Sequence, residues 1–120
     1  MSLRGVLLIL ISAAMTAAAN LLLRAGVRAA GGFAFSMRTL HALASQWMFV
    51  SGILLYGLAA VLWFAVVATE DLSTSYPVLV GTVFVLVTAG AAFFFQERIS
   101  AQKVAGLLVI LAGILLVGRS

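Results

Sequence analysis

Long apolar runs, almost empty of charge, take up most of this chain. They cover approximately residues 5–23, 47–68, 76–95 and 101–118. Each is about the length a helix needs to cross a hydrocarbon core of roughly 30 Å at 1.5 Å per residue. The apolar positions are continuous rather than alternating, which argues against a β-barrel. In lipid every backbone N–H and C=O must be satisfied within its own segment, so helices remain. The expected fold is all-α: one integral membrane domain over residues 1–120, a four-helix bundle that pairs as a dimer.

Composition agrees. Hydrophobic residues make up 65% of the sequence and charged residues 8%, where a soluble domain carries about 25% charge. The first run has a basic residue before it and small residues at Ala17, Ala18 and Ala19, as a signal peptide would. It is longer than a usual signal core and other spans follow, so it reads as a retained helix. There is no cysteine, which excludes disulfides and thiolate chemistry. No metal motif, phosphate loop or nucleophile elbow occurs, and His41 is the only histidine. Neither an enzyme nor a cofactor is expected. The net charge of +4 is scattered over span ends, a pattern of topology signals and headgroup contacts rather than of nucleic-acid binding.

An even number of spans puts both termini on one side of the membrane. Arg4 and Arg119 lie there, against Arg24, Arg28, Arg38, Arg98 and Lys103 on the other side. The larger basic cluster is expected to stay cytoplasmic, leaving both termini outside. So small a bias also leaves dual insertion open. The longest connection, 24–46, contains Gly26, Gly31 and Gly32 as breakers, followed by Ser36 as a cap for a short interfacial helix. Within 37–46, Arg38, His41 and Ser45 oppose Leu40 and Leu43. Pro77 is placed near the start of the third span, where its missing N–H matters little.

The polar residues inside the spans pose the functional question. Ser12, Thr16, Asn20 and Arg24 recur every four residues and share one face of the first helix. Among alanines this is either a close-packed seam or a polar groove leading to Arg24. No carboxylate lies deep in a span: Glu70, Asp71 and Glu97 stand at span ends, which argues against a simple proton/cation exchanger. Glu97 is read as a structural turn residue with Arg98 beside it, and Ser100 as a cap of the last helix. Tyr56, Trp63 and Tyr76 are core or interface anchors, or line a path for an isoprenoid chain or a sugar ring. Gly106 and Gly113, seven apart, make a groove on the last helix for a partner helix, in a homodimer or with a paralogue.

The stretch FFFQERISAQKVAGLLVILAGILLVG, residues 93–118, resembles the helix-turn-helix of the small multidrug resistance branch of the drug/metabolite transporter superfamily. The run Asn20-Leu21-Leu22-Leu23-Arg24 is similar to the branch's polar–apolar–basic end of the first helix. Two positions depart from the exporters: Thr16 stands where they carry an embedded Glu, and Leu79 where they carry a Trp after the Tyr. Polyprenyl-phosphate-aminoarabinose flippase subunits resemble the chain more closely. They lack that Glu and share an amide like Asn20, a basic residue like Arg24, and pairs like Leu62-Trp63 and Tyr76-Pro77. Their last turn has a Glu followed closely by a Ser, like Glu97 and Ser100.

The resemblance implies a transporter of the bacterial cytoplasmic membrane that moves an isoprenoid-phosphate lipid, or its glycosylated form, between leaflets. On this reading Arg24 and Arg28 draw the phosphate, the headgroup slides along Ser12, Thr16 and Asn20, and the tail stays in lipid. Two other classes also fit these residues. A small-cation exporter would need a buried acid from a partner, and a non-transporting assembly subunit would need only the helical seams.

Overall fold

The computed structural model describes residues 2–119, in five helices: α1 (Leu3–Ala29), α2 (Met37–Ala44), α3 (Trp47–Thr69), α4 (Leu72–Phe94) and α5 (Ala101–Arg119). Four of them, all but α2, are long and apolar enough to cross a membrane. The fold is thus the expected all-α, four-span membrane bundle. At 27 residues α1 is about 40 Å long, longer than the hydrocarbon core. Its last turns carry Arg24 and Arg28.

Helix ends follow local chemistry. Ser2 caps α1, its Oγ accepting from the Gly5 N–H at 3.0 Å. The other end closes on Gly31 and Gly32, both at positive φ (95° and 108°). The Gly32 N–H donates to the Val27 carbonyl and the Gly31 N–H to Arg28, which is a Schellman motif. Gly26, expected as a breaker, is buried inside α1 instead, against the backbone of Phe49. Its missing side chain serves close helix approach rather than a turn. Ser36 caps α2 through the Thr39 N–H, and Leu43 is the residue that α2 buries.

The third span begins earlier than residue 76. Its helix starts at Leu72, so Pro77 lies in the second turn rather than the first. There it has no N–H to give to the Ser73 carbonyl. Ser75, fully buried, donates its hydroxyl to the Asp71 carbonyl at 2.7 Å. At the far end Gln96 adopts φ 55°, and the Glu97 N–H folds back onto the Ala91 carbonyl at 3.2 Å. Ser100 Oγ then accepts from the Lys103 N–H at 3.1 Å and opens α5.

Helix α1 is the centre of the bundle. It packs on α3 and α4, while α5 packs chiefly on α4. The molecule measures 49 × 37 × 22 Å, a thin slab. Small residues set the seams, as expected where packing rather than water drives helix association. Ala13, Ala17 and Ala19 are buried on α1. Gly52 lies against Ala19 and Leu23, Gly90 against Leu21, and Gly81 against Ile114. Outside these seams the helices present Leu, Val, Ile and Phe outward, as lipid-facing surface does.

A basic mouth over an apolar furrow as candidate functional site

The four-residue stripe of α1 does not stay on one seam. Steps of four advance about 40° around a helix of 3.6 residues per turn, so three steps swing the stripe by about 120°. Ser12 accordingly points at α3, buried, with its hydroxyl donating to the Ala59 carbonyl at 2.9 Å. The Thr16 carbonyl accepts from the Asn20 side-chain amide at 2.9 Å. Asn20 has rotated to the α4 side, where it borders a cavity with Val80, Val83 and Thr88. Arg24 reaches the turn between α4 and α5. Ser12 therefore belongs to the α1–α3 seam, while Asn20 and Arg24 face open space beside α4.

Arg24 and Arg28 meet at Phe95. Each guanidinium carbon lies 5.3 Å from the ring centroid, within the range of cation–π attraction. Arg24 Nη1 also pairs with Glu97 Oε1 at 2.8 Å. The two side chains are 43% and 34% exposed, so water screens the pair, and its contribution is about 0–1 kcal/mol. Glu97, expected to serve the turn with Arg98 beside it, thus bridges the turn to α1.

Below this mouth runs a furrow between α4 and α5. Its cavity, about 350 Å³, is lined by Phe84, Val87, Thr88, Leu107 and Ile110, with Glu97 and Lys103 among the polar side chains on its wall. The Asn20 cavity, about 400 Å³, shares Phe84, Val87 and Thr88 with it. The two share a wall on α4 and make a mostly apolar trough, with Asn20 beside one cavity and Glu97 and Lys103 on the wall of the other, which Arg24 reaches through Glu97. An amphiphile with an anionic head and a hydrocarbon tail matches that distribution.

The other expected residues lie elsewhere. Trp63 and Tyr76 stack at 5.9 Å between centroids, tilted by 60°, at the opposite end of the molecule. They border a cavity with Leu72, Ser73 and Pro77. Tyr56 is exposed on α3, and the structure does not bring it to either site. Gly106 lines the furrow, and both Gly106 and Gly113 have open space where a Cβ would stand.

Phe95 is not among the site residues expected from the sequence, and Lys103 is expected there only as a topology signal. An aromatic residue one before the Gln96-Glu97 turn, and a cation three after the Ser100 cap, were the available signals. Near the termini, Glu70 Oε1 accepts from Ser2 Oγ at 2.6 Å and from the Ser2 N–H at 3.4 Å. The Ser2 hydroxyl holds the Glu70 carboxyl below its ordinary range.

A "Probable 4-amino-4-deoxy-L-arabinose-phosphoundecaprenol flippase subunit ArnE" of Pseudomonas aeruginosa is 38% identical over 78 residues, 65% of this chain and 66% of that one. The match thus spans just under two thirds of that relative's length. The protein of the same name in Enterobacter sp. is 33% identical over 102 residues, 82% of this chain and 94% of that one. An uncharacterised protein, y4nH, of Sinorhizobium fredii is 30% identical over 71 residues, 59% of this chain and 61% of that one. No solved structure matches. The family described as Small Multidrug Resistance protein matches residues 18–110, a stretch that runs from the end of the alanine seam of α1 to the furrow wall of α5. The chain belongs to the Small Multidrug Resistance family.

Proposed function

We propose that the chain is a subunit of a flippase that carries an isoprenoid-phosphate lipid, bare or glycosylated, between the leaflets of the bacterial inner membrane. The observation that carries this reading is the pairing of a basic mouth with an apolar trough. Arg24 and Arg28 gather at Phe95 above a furrow whose lower walls are hydrocarbon. A guanidinium binds phosphate at two points with charge-assisted hydrogen bonds. The tail needs no closed pocket, since the furrow opens to lipid. Asn20 offers a polar contact along the same trough. The relatives named as flippase subunits supply the lipid class.

In this reading the basic end faces the cytoplasm and both termini face away from it. Helix α5 supplies the contact to a second subunit through Gly106 and Gly113, either another copy or a paralogue. Transport then follows from rocking within the pair. Trp63 and Tyr76 are a second polar–aromatic station at the far end, suited to a sugar ring.

The small-cation alternative is less well supported, because the carboxylate on the trough wall, Glu97, is paired with Arg24 at the mouth, and Thr16 occupies the turn where an acid would be needed. Reconstitution of the purified chain in vesicles, alone and with any paralogue, tests the proposal. A fluorescent polyprenyl phosphate should become accessible to an external quencher faster than in protein-free vesicles. Resistance of cells to quaternary ammonium compounds, without lipid movement, would favour the exporter instead.

A further inference from the structure

We infer that Glu97 is a resident counter-ion at the mouth, which an incoming lipid phosphate displaces from Arg24. The inference rests on the lipid reading and adds a gate to it. Arg24 does not stand free: its Nη1 is held by Glu97 Oε1 at 2.8 Å. A phosphate that uses Arg24 must replace that carboxylate. The surroundings favour the exchange. Arg24 and Arg28 share Phe95, and Lys103 lines the same furrow as Glu97, so three cations stand at this end of the molecule, and Arg24 is the one that Glu97 pairs with. The excess positive charge calls for a further anion. Glu97 sits just past Gln96, at the end of α4 and on the wall of the furrow where the tail would enter. Its partial exposure leaves room for the carboxylate to turn into water once released.

Exchange also explains how the mouth can wait without a ligand. In the absence of substrate Glu97 neutralises Arg24 and fixes α1 to the α4–α5 turn. With substrate bound the phosphate takes over the charge, and that tie is broken. Loading the site therefore loosens one of the few polar links between α1 and the far helices.

The test is a binding measurement with the full chain in phosphatidylcholine nanodiscs, using farnesyl phosphate as the probe and inorganic phosphate as a competitor. Glu97→Gln keeps the shape and removes the charge. It should tighten farnesyl phosphate binding by about two- to fivefold, the range an exposed ion pair spans. Arg24→Gln should weaken binding. In the double variant the gain from Glu97→Gln should vanish, since its target is gone.

Parent protein that binds the probe, with Glu97→Gln no tighter, overturns the exchange while leaving the lipid reading in place. A gain that persists without Arg24 overturns it too, because the effect would then be general charge rather than a specific partner. If neither the parent nor Glu97→Gln binds, the lipid reading fails and the exchange with it. Inorganic phosphate competing as well as farnesyl phosphate would show an anion site with no use for the tail, and would remove the furrow from the proposal.

Discussion

Helices α1 and α5 are almost equally apolar, with mean hydropathy of 2.3 and 2.1 over their richest stretches. Yet α1 is the centre of the bundle, and α5 buries no residue among those described. The difference lies in small residues and what they meet. Gly26 of α1 lies against the Phe49 backbone, and the Ala19 carbonyl of α1 faces Gly52 of α3. The glycines of α5 at 106 and 113 meet nothing within 4 Å. The same device, a missing side chain, is used inside the chain on one helix and left vacant on the other. In a membrane, where hydrocarbon contact alone gives no preference, such close-approach surfaces decide which helices associate. α1 builds the subunit, and α5 is the surface with which we expect it to meet another.

The largest effect should come from filling a seam of α1. A Cβ at Gly26 would stand 2.6 Å from the Phe49 backbone nitrogen, and backbone has little room to move. Gly26→Leu is expected to destabilise the subunit by about 1–3 kcal/mol through overpacking, measured as loss of helix signal on heating in detergent. Gly113→Leu should leave that curve nearly unchanged and act on self-association instead. Cross-linking and detergent sizing should show weaker dimers, by roughly tenfold if the helix is held about 1.4 kcal/mol less well. Should Gly113→Leu unfold the subunit, or leave association untouched, the contrast between the helices would be broken.

That contrast was only partly legible in the sequence. Four spans follow from length and hydropathy, because lipid demands them whatever the packing. Which faces meet does not follow, since a helix that is apolar all round carries no periodic signal to separate lipid from neighbour. Gly26 and Gly106 look alike in sequence. One touches Phe49 because the Gly31–Gly32 turn and α2 bring α3 back alongside α1, and that depends on the course of the whole loop. The ion pair of Arg24 with Glu97 is likewise invisible, joining residues from opposite parts of the chain. The polar stripe was visible as spacing, but its twist around α1 is what separates the buried Ser12 from Asn20 beside the trough. Pro77, expected near the start of the third span, lies in the second turn of α4, because the helix extends back past the apolar run to Leu72.

A smaller effect should sharpen the comparison at the basic mouth, where the end of α1 meets the turn that leads into α5. Arg24→Lys keeps the positive charge, and so the topology signal, but removes the planar fork. Binding of a polyprenyl phosphate should weaken about fivefold, the loss of about 1 kcal/mol expected for one charge-assisted contact, with insertion and dimerisation normal. Asn20→Ala on the same side should weaken it less. If both variants bind and transport as the parent does, the stripe is a packing seam, and the lipid path must be sought along Trp63 and Tyr76.

The smallest effect concerns how the two helices begin. Both open on a serine, Ser2 for α1 and Ser100 for α5, and each hydroxyl accepts from the N–H three residues on. Only Ser2 also donates to a carboxylate, Glu70 at the end of α3. The Ser2 hydroxyl holds the Glu70 carboxyl below its ordinary range, so the ionised form is favoured in the folded state. The sign follows from linkage: a depressed carboxyl contributes fully at pH above its unfolded value, and that contribution fades as pH falls through the folded one. Acid should therefore loosen the first turn of α1 and leave that of α5 unchanged, because the Ser100 hydroxyl does not titrate. Amide exchange at residues 4–6, compared with 103–105 and corrected for the intrinsic pH dependence of exchange, is the measurement. Protection should fall at the first set alone as pH drops below the carboxylate range. Ser2→Ala should raise the Glu70 carboxyl toward its ordinary value. Gly5→Ala should act in the same direction by another route, since a Cβ there overlaps the Glu70 carboxylate and displaces it from Ser2. Equal loss of protection at both helix starts would mean that acid acts on the bundle as a whole, and that the link between Ser2 and Glu70 does not set α1 apart.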